Sequence, residues 1–250
     1  MKRSLSVLML TALLPASVMA ETGITLGTRL GTSDVNGTLR YQSIDPADDV
    51  DINNDLGYQD SQPVNYYVQL EHPLPLLPSA RIDHSELDDS ASGQLTRTVN
   101  YGGSSFTVGE NIDSSVQVSR TDIILFYSIF DTVANIDVGV NARYIDSKTS
   151  LTGNLSGNET ASISGWVPMF YAGVGMDLPL SGLSLGADGS FAGYQGNHLY
   201  DVKLRASYTT DWNLGADLGY RRMRLDLEDF DDSYADIEFD GPFAGLFVTF

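Results

Sequence analysis

Asp49, Asp51, Asn53 and Asp55 alternate along one short segment, and Asp60 stands twelfth when Asp49 is counted as first. Carboxylate and amide oxygens at alternating positions are hard ligands of the kind that hold Ca²⁺ or Mg²⁺. The segment departs from a calcium loop at two places. Its sixth position is Asn54 rather than Gly, and its twelfth is Asp rather than Glu. The expectation is a loop that collects Ca²⁺ or Mg²⁺ loosely, with no tightly held cofactor. Residues 45–60 hold six acids and 226–240 hold eight, and neither stretch holds a Lys or Arg. Such density repels itself unless cations gather.

Nucleophilic or acid–base chemistry has fewer supports. The histidines are His72, His84 and His198. His84 and Ser85 are neighbours, so on a strand their side chains point to opposite faces. The chain has no G-x-S-x-G elbow and no H-E-x-x-H pair. An enzyme is not expected, and a barrel hydrolase is the least favoured role. The chain has 14 Lys and Arg against 33 Asp and Glu, a net charge of −19, and no Cys. Nucleic acid is thereby excluded as a partner. Disulfides, thiolate metal sites and a lipidated cysteine are excluded as well.

The elements that must carry these residues are strands. Tyr200, Val202, Leu204, Ala206 and Tyr208 alternate with Asp201, Lys203, Arg205 and Ser207. Ile136, Val138, Val140, Ala142 and Tyr144 alternate with Asp137, Gly139, Asn141 and Arg143. Period two gives each segment one apolar and one polar face. Ten segments read this way, near 23–33, 62–71, 79–88, 113–130, 135–147, 167–178, 182–194, 199–209, 213–226 and 236–250. In the fourth, turning Ile123, Leu125 and Tyr127 outward turns Asp122 inward. Long connections are expected at 43–61, 89–112, 148–166 and 227–235, and short turns between the other segments. Tyr66, Tyr144, Tyr171, Tyr194, Tyr208, Trp212 and Tyr220 are placed for interfacial girdles.

This layout predicts an all-β fold, a transmembrane antiparallel up-and-down β-barrel of ten strands, with eight or twelve as alternative counts. The inward charges would be Arg29, Glu71, Asp83, Asp137, Arg143, Asp188, Lys203, Arg205, Asp217 and Arg221. Five acids and five bases in a narrow lumen predict ion pairs and trapped water; the rival is a small-solute pore.

Lys2 and Arg3, an apolar run from Leu5 to Leu14, and small residues up to Ala20 predict a signal peptide over 1–20, cleaved between Ala20 and Glu21. Residues 21–250 then form one barrel domain.

The last ten residues, Gly-Pro-Phe-Ala-Gly-Leu-Phe-Val-Thr-Phe, resemble the C-terminal recognition strand of bacterial outer-membrane proteins, with Gly245, Val248 and Phe250 in place. Phe243 stands where that pattern usually has a polar residue. Further matches are Asn54-Asp55-Leu56-Gly57, the run from Glu71 to Pro78, Leu95-Thr96-Arg97 and Phe239-Asp240-Gly241-Pro242-Phe243. Over nearly all of 21–250 the chain resembles a family of uncharacterised outer-membrane β-barrel proteins of Gram-negative bacteria. The resemblance implies periplasmic chaperones and the barrel assembly machinery as partners, and the outer membrane, with its lipid and lipopolysaccharide, as location. It brings no activity. The role expected is that of a monomeric structural barrel or porin-like passive channel with acidic external loops. Alternatives are surface adhesion or reception, or divalent-cation binding.

Overall fold

A computed structural model describes residues 23–72, 74, 77–131, 134–230 and 232–250. The expected signal peptide and its Ala20–Glu21 cleavage site lie outside the described residues.

The wall begins with β1 (Gly23–Gly31) and β2 (Ser33–Tyr41), which pair with the last strand in one continuous register. Two short strands follow, β3 (Val50–Asp51) and β4 (Asp60–Ser61), then β5 (Val64–Glu71) and β6 (Ser79–Gln94). A small hairpin, β7 (Val99–Tyr101) and β8 (Ser104–Phe106), precedes the long strands β9 (Asn111–Asp131), β10 (Ala134–Gly153) and β11 (Gly157–Leu178). The chain ends with β12 (Leu183–Tyr194), β13 (Asn197–Thr209), β14 (Leu214–Phe230) and β15 (Ser233–Thr249). Taking β1 and β2 as one wall strand, β5, β6 and β9 to β15 complete ten among the described residues, each antiparallel to its neighbours. Pairing of β1 with β15 closes the ring. Phe250 seals the seam: its N–H donates to Ile24 O at 2.9 Å, and Ile24 N–H donates to Phe250 O at 3.2 Å. Closure removes the unpaired edges that a sheet could not leave in hydrocarbon.

The two faces follow the alternation. On β9, Ile123, Leu125, Tyr127 and Ile129 are exposed outward, while Asp122, Ile124 and Phe126 are buried inside. On the outer face the apolar residues give way to polar ones at a common level: Ile123 to Thr121 on β9, Tyr144 to Asp146 on β10, Trp166 to Ser164 on β11. Tyr144 and Trp166 are register partners with ring centroids 5.2 Å apart, at the level expected for an interfacial girdle. Tyr171, expected in the girdle, instead points inward. Its ring lies 5.8 Å from Phe126 and under the Arg81 guanidinium, and the outward neighbour Phe170 takes the exposed place.

The wall runs well past this apolar band. β9, β10 and β11 have 21, 20 and 22 residues, against the 9–11 or so that cross a bilayer. The long loops expected at 148–166 and 227–235 are therefore largely strand, with a tight turn near 154–156 and with Phe230 paired to Ser233 at the end of the second hairpin. Beyond the band water replaces lipid and the outward face becomes polar, while the inward face mixes apolar side chains such as Ile112 and Val116 with small polar ones, so the apolar-outward alternation that marks a strand fades. Elsewhere the turns behave as expected. Gln195 and Gly196 both have positive φ (50° and 90°), as a two-residue hairpin between Tyr194 and Asn197 requires.

Candidate functional site

The interior is layered, as β9 alone records. From the loop end its inward side chains read Ile112, Ser114, Val116, Val118, then Arg120 and Asp122, then Ile124 and Phe126. The middle layer is ionic and lies inside the apolar band.

Asp201 on β13 binds three guanidinium groups: Arg143 Nη2 at 2.6 Å, Arg221 Nη2 at 2.5 Å and Arg120 Nη1 at 3.4 Å. Asp122 receives Arg143 through Nε at 2.6 Å and Nη2 at 3.1 Å, and Asn141 Nδ2 at 2.7 Å. Asp188 takes Arg81 at 2.9 Å, Arg205 at 3.1 Å and Lys203 at 3.5 Å. Lys203 also reaches Asp83 at 3.4 Å, and Asp83 accepts from Asn65. Arg29 pairs with Asp217 at 2.9 Å and lies over the Tyr67 ring at 4.1 Å. Arg120 Nη2 lies 3.8 Å from Asp83 Oδ1 and joins the two sets, so that, except for the Arg29–Asp217 pair, one chain of contacts links all these charges across the lumen. Taking two ions out of water is costly, so the layer is tolerable because nearly every charge meets an opposite one. Beside Arg29 and Asp83 a cavity of about 30 Å³ remains, room for a water or two.

Eight of the ten charges expected inward join these contacts. Asp137 stays apart, accepting from Ser128 Oγ at 2.6 Å. Glu71 lies exposed at the turn-end mouth, because β5 ends there. Sequence reasoning missed Arg81, Arg120 and Asp201 as members. The signal was available: each stands two residues from a residue already turned inward, Asp83, Asp122 and Lys203.

At the loop end the interior is apolar. Val35, Val50, Ile52, Leu56, Tyr58, Leu95, Val99, Tyr101, Phe106, Ile112, Leu151 and Ala161 form one buried cluster. Four of these lie on the loop between β2 and β5, four on the loop between β6 and β9, so the two long loops fold inward as a cap. The first covers the gap left above the short β5. Gly57 (φ 81°) lets its backbone lie against β6, where a Cβ would run into Ser92 O.

Polar straps fasten the cap. Asp55, 1% exposed, accepts from Arg97 Nη1 at 2.9 Å and from Asp51 N–H at 2.9 Å. Arg97 also donates to Asp49 O. Asp48 accepts from Asn100 N–H at 2.8 Å and Ser43 Oγ at 2.5 Å. Burial pushes its carboxyl up, but these bonds and Arg40 draw it below the ordinary aspartate value. Glu110 accepts from Leu155 N–H at 2.8 Å, Ser156 N–H at 2.7 Å, Ser156 Oγ at 2.7 Å and Thr107 N–H at 3.0 Å. Burial again pushes upward, yet the bonds from Ser156, Thr107 and Leu155 hold the carboxyl down at about 2.

The residues of the expected cation loop make these contacts. Asp51 caps the N–H groups of Asn53 and Asn54 at 3.0 and 2.8 Å. Asn53 Nδ2 donates to Val35 O and Tyr58 O at 2.7 and 3.1 Å. Asp49 faces Arg40 at 3.5 Å, and Asp60 sits beside Asp34 on the wall. Among the described residues no three acids or histidines gather to hold a metal. Carboxylate oxygens of Asp49, Asp51 and Asp55 meet backbone N–H groups and arginines.

The histidines stand apart from one another. His72 contacts Pro78 O at 3.2 Å in a turn, His84 contacts Thr121 at 2.9 Å and Glu86 at 3.3 Å, and His198 lies on β13 opposite Asp226. Ser85 is buried on the face opposite His84. At the C-terminus, Gly245 packs against Asp217 and Arg29 inside, while Phe250 is 56% exposed outside.

No protein-family model and no curated protein matches the chain. Among solved structures, the outer membrane protease OmpT of Escherichia coli matches at 13% identity with a TM-score of 0.59, over 91% of this chain and 97% of that one. The translocator domain of the autotransporter NalP from Neisseria meningitidis matches at 9% identity and a TM-score of 0.47, over 91% and 88%. Neisserial surface protein A matches at 10% identity and a TM-score of 0.35, over 91% and 97%. The fold of this chain is that of a closed, antiparallel, ten-stranded outer-membrane β-barrel.

Proposed function

We propose that the protein is a non-conducting barrel of the outer membrane, whose role is exerted at its capped, loop-bearing end as a structural or surface-binding protein. One observation carries this reading: Lys203 and Asp83, on opposite walls, meet at 3.4 Å within a continuous ionic layer. A passive channel would need open water where that layer lies. The apolar band, the closed wall and the C-terminal strand support residence in the outer membrane beside lipopolysaccharide, following export, signal cleavage and delivery to the assembly machinery. The loop end then faces outward, where its acidic residues and folded cap meet whatever the surface meets. No reaction is assigned, in keeping with three histidines that sit on separate outer or turn positions.

The test is single-channel recording from folded protein in a planar bilayer, with folding checked by heat-shifted gel mobility. Silence is expected. Discrete, reproducible conductance steps in the folded wild type would overturn the proposal in favour of the small-solute pore. Deletion within the 95–110 loop that alters binding to cells, with the barrel still folded, would support the surface role.

A further inference from the structure

Between the cap and the ionic layer lies a cavity of about 130 Å³. Its surface is mostly carbon, from Leu39, Leu87, Val116 and Ile237 among others, with Ser61, Asp89, Ser147 and Thr149 also on the lining. Its roof includes Tyr58 from the cap, and its floor is formed by Arg120 and Met223. Close-packed interiors hold few voids larger than a water molecule, and an empty one forfeits contacts on every side. A water here would face mostly carbon. An apolar cavity of about 150 Å³ in another protein stays dry and takes up benzene, so this volume suits about six heavy atoms. A second observation bears on the occupant. Tyr58 is 6% exposed and lines the cavity; its buried hydroxyl makes no hydrogen bond of ordinary distance and angle among the described residues, with the Ser114 hydroxyl and the Asp89 carboxylate as its polar neighbours. Leaving such a group unpaired is costly.

We propose that this cavity is a binding site for one small, largely apolar organic molecule of about benzene's size, carrying a single hydrogen-bonding group that meets the Tyr58 hydroxyl. The rings or methyls of the wall supply contact, Tyr58 supplies orientation, and the ionic floor closes the site toward the membrane. The site stands whether or not the barrel conducts.

The experiment is titration of the full-length folded barrel in detergent micelles with benzene and with phenol, read by methyl chemical shifts of Leu, Ile and Val. Saturable shifts are expected at Leu39, Leu87, Val116 and Ile237, with phenol tighter than benzene. Outward methyls such as Leu125 and Val140 report partition into the micelle and should drift linearly. Tyr58→Phe should weaken phenol about five- to tenfold and leave benzene unchanged, one hydrogen bond's worth. Val116→Phe should fill the cavity and abolish saturation. Leu87→Phe serves the same end if that variant fails the heat-shifted gel test of folding. Inward methyls that only drift linearly, or saturation that survives in a folded filled variant, would overturn the site. Equal loss of benzene and phenol in Tyr58→Phe, or no loss of either, would overturn the assignment of the polar group.

Discussion

Lys203 and Asp83 stand five wall strands apart in a ring of ten, on β13 and β6, and their charged atoms lie 3.4 Å apart. No contact in the lumen could span more of the ring. Each residue has other partners, Asp188 for Lys203 and Asn65 for Asp83, so the bridge is one member of a network rather than an isolated pair. A double-mutant cycle should show this. Lys203→Met or Asp83→Asn alone leaves a buried charge short of its partner and should destabilise the barrel by about 2–5 kcal/mol. The double variant should cost less than the sum of the singles by about 1 kcal/mol or more. Urea unfolding in lipid vesicles measures all three. Simple additivity would mean the two charges do not interact across the lumen.

Asp201 holds three guanidinium groups on one carboxylate. Asp201→Asn keeps the shape and removes the charge that Arg120, Arg143 and Arg221 share. Breaking a buried pair from one side costs about 3–5 kcal/mol, and the repelling arginines should separate. The expected result is a lower urea midpoint together with the appearance of anion-preferring current in a bilayer that is silent for wild type. A variant as stable and as silent as wild type would show that Asp201 is dispensable to the plug.

The wall was legible because lipid on one side and charge on the other give each strand a period of two. Even the ambiguous β9 resolves this way, since only the register that turns Asp122 inward hides a charge from lipid. Inward charges such as Arg143 and Asp188 were legible for the same reason. What the sequence could not convey lies above the apolar band. There Ser150 and Thr160 pair across β10 and β11 at 3.0 Å on an outward face that suits water, while the inward face carries Leu151 and Ala161 into a core that the cap completes. The cap was hidden for a further reason. Leu56, Tyr58 and Leu95 look like scattered apolar residues in polar loops, and become a core only when two loops distant in sequence fold onto each other. The aspartates beside them have the spacing of cation ligands. Spacing says nothing of which N–H groups or guanidiniums arrive from elsewhere, and Arg97, 42 positions from Asp55, is such a group.

Arg97 should therefore control the cap. It joins the two long loops by its ion pair with Asp55, which is 1% exposed and has few ways to regain water. Arg97→Ala leaves that carboxylate to the Asp51 N–H alone, at a cost of about 1–3 kcal/mol. The loss should be local, because the β-barrel wall does not pass through this contact. Hydrogen exchange should speed up roughly tenfold or more in 50–58 and 95–106 and stay unchanged in β12 to β15. Uniform acceleration across the wall would show that cap and barrel unfold together.

Glu110 offers a test by pH. Its carboxyl is held at about 2 by N–H and O–H donors from Thr107, Leu155 and Ser156, against an ordinary glutamate value of 4.5. A lowered folded value means the charged form is favoured in the folded state. The strap's contribution is complete above about pH 4.5 and is lost as the pH falls toward 2. Two readouts follow. The Ser156 amide resonance should titrate with a midpoint near 2. Resistance of the 95–110 loop to an acid-active protease should hold at pH 5 and decline progressively below 4.5. In Glu110→Gln the amide keeps one acceptor but loses the charge, so protection should be weaker at pH 5 and this strap's share of the acid decline should vanish. A Ser156 midpoint near 4.5 would mean that the donors do not favour the carboxylate, and that the cap is fastened by Arg97 and Asp48 alone.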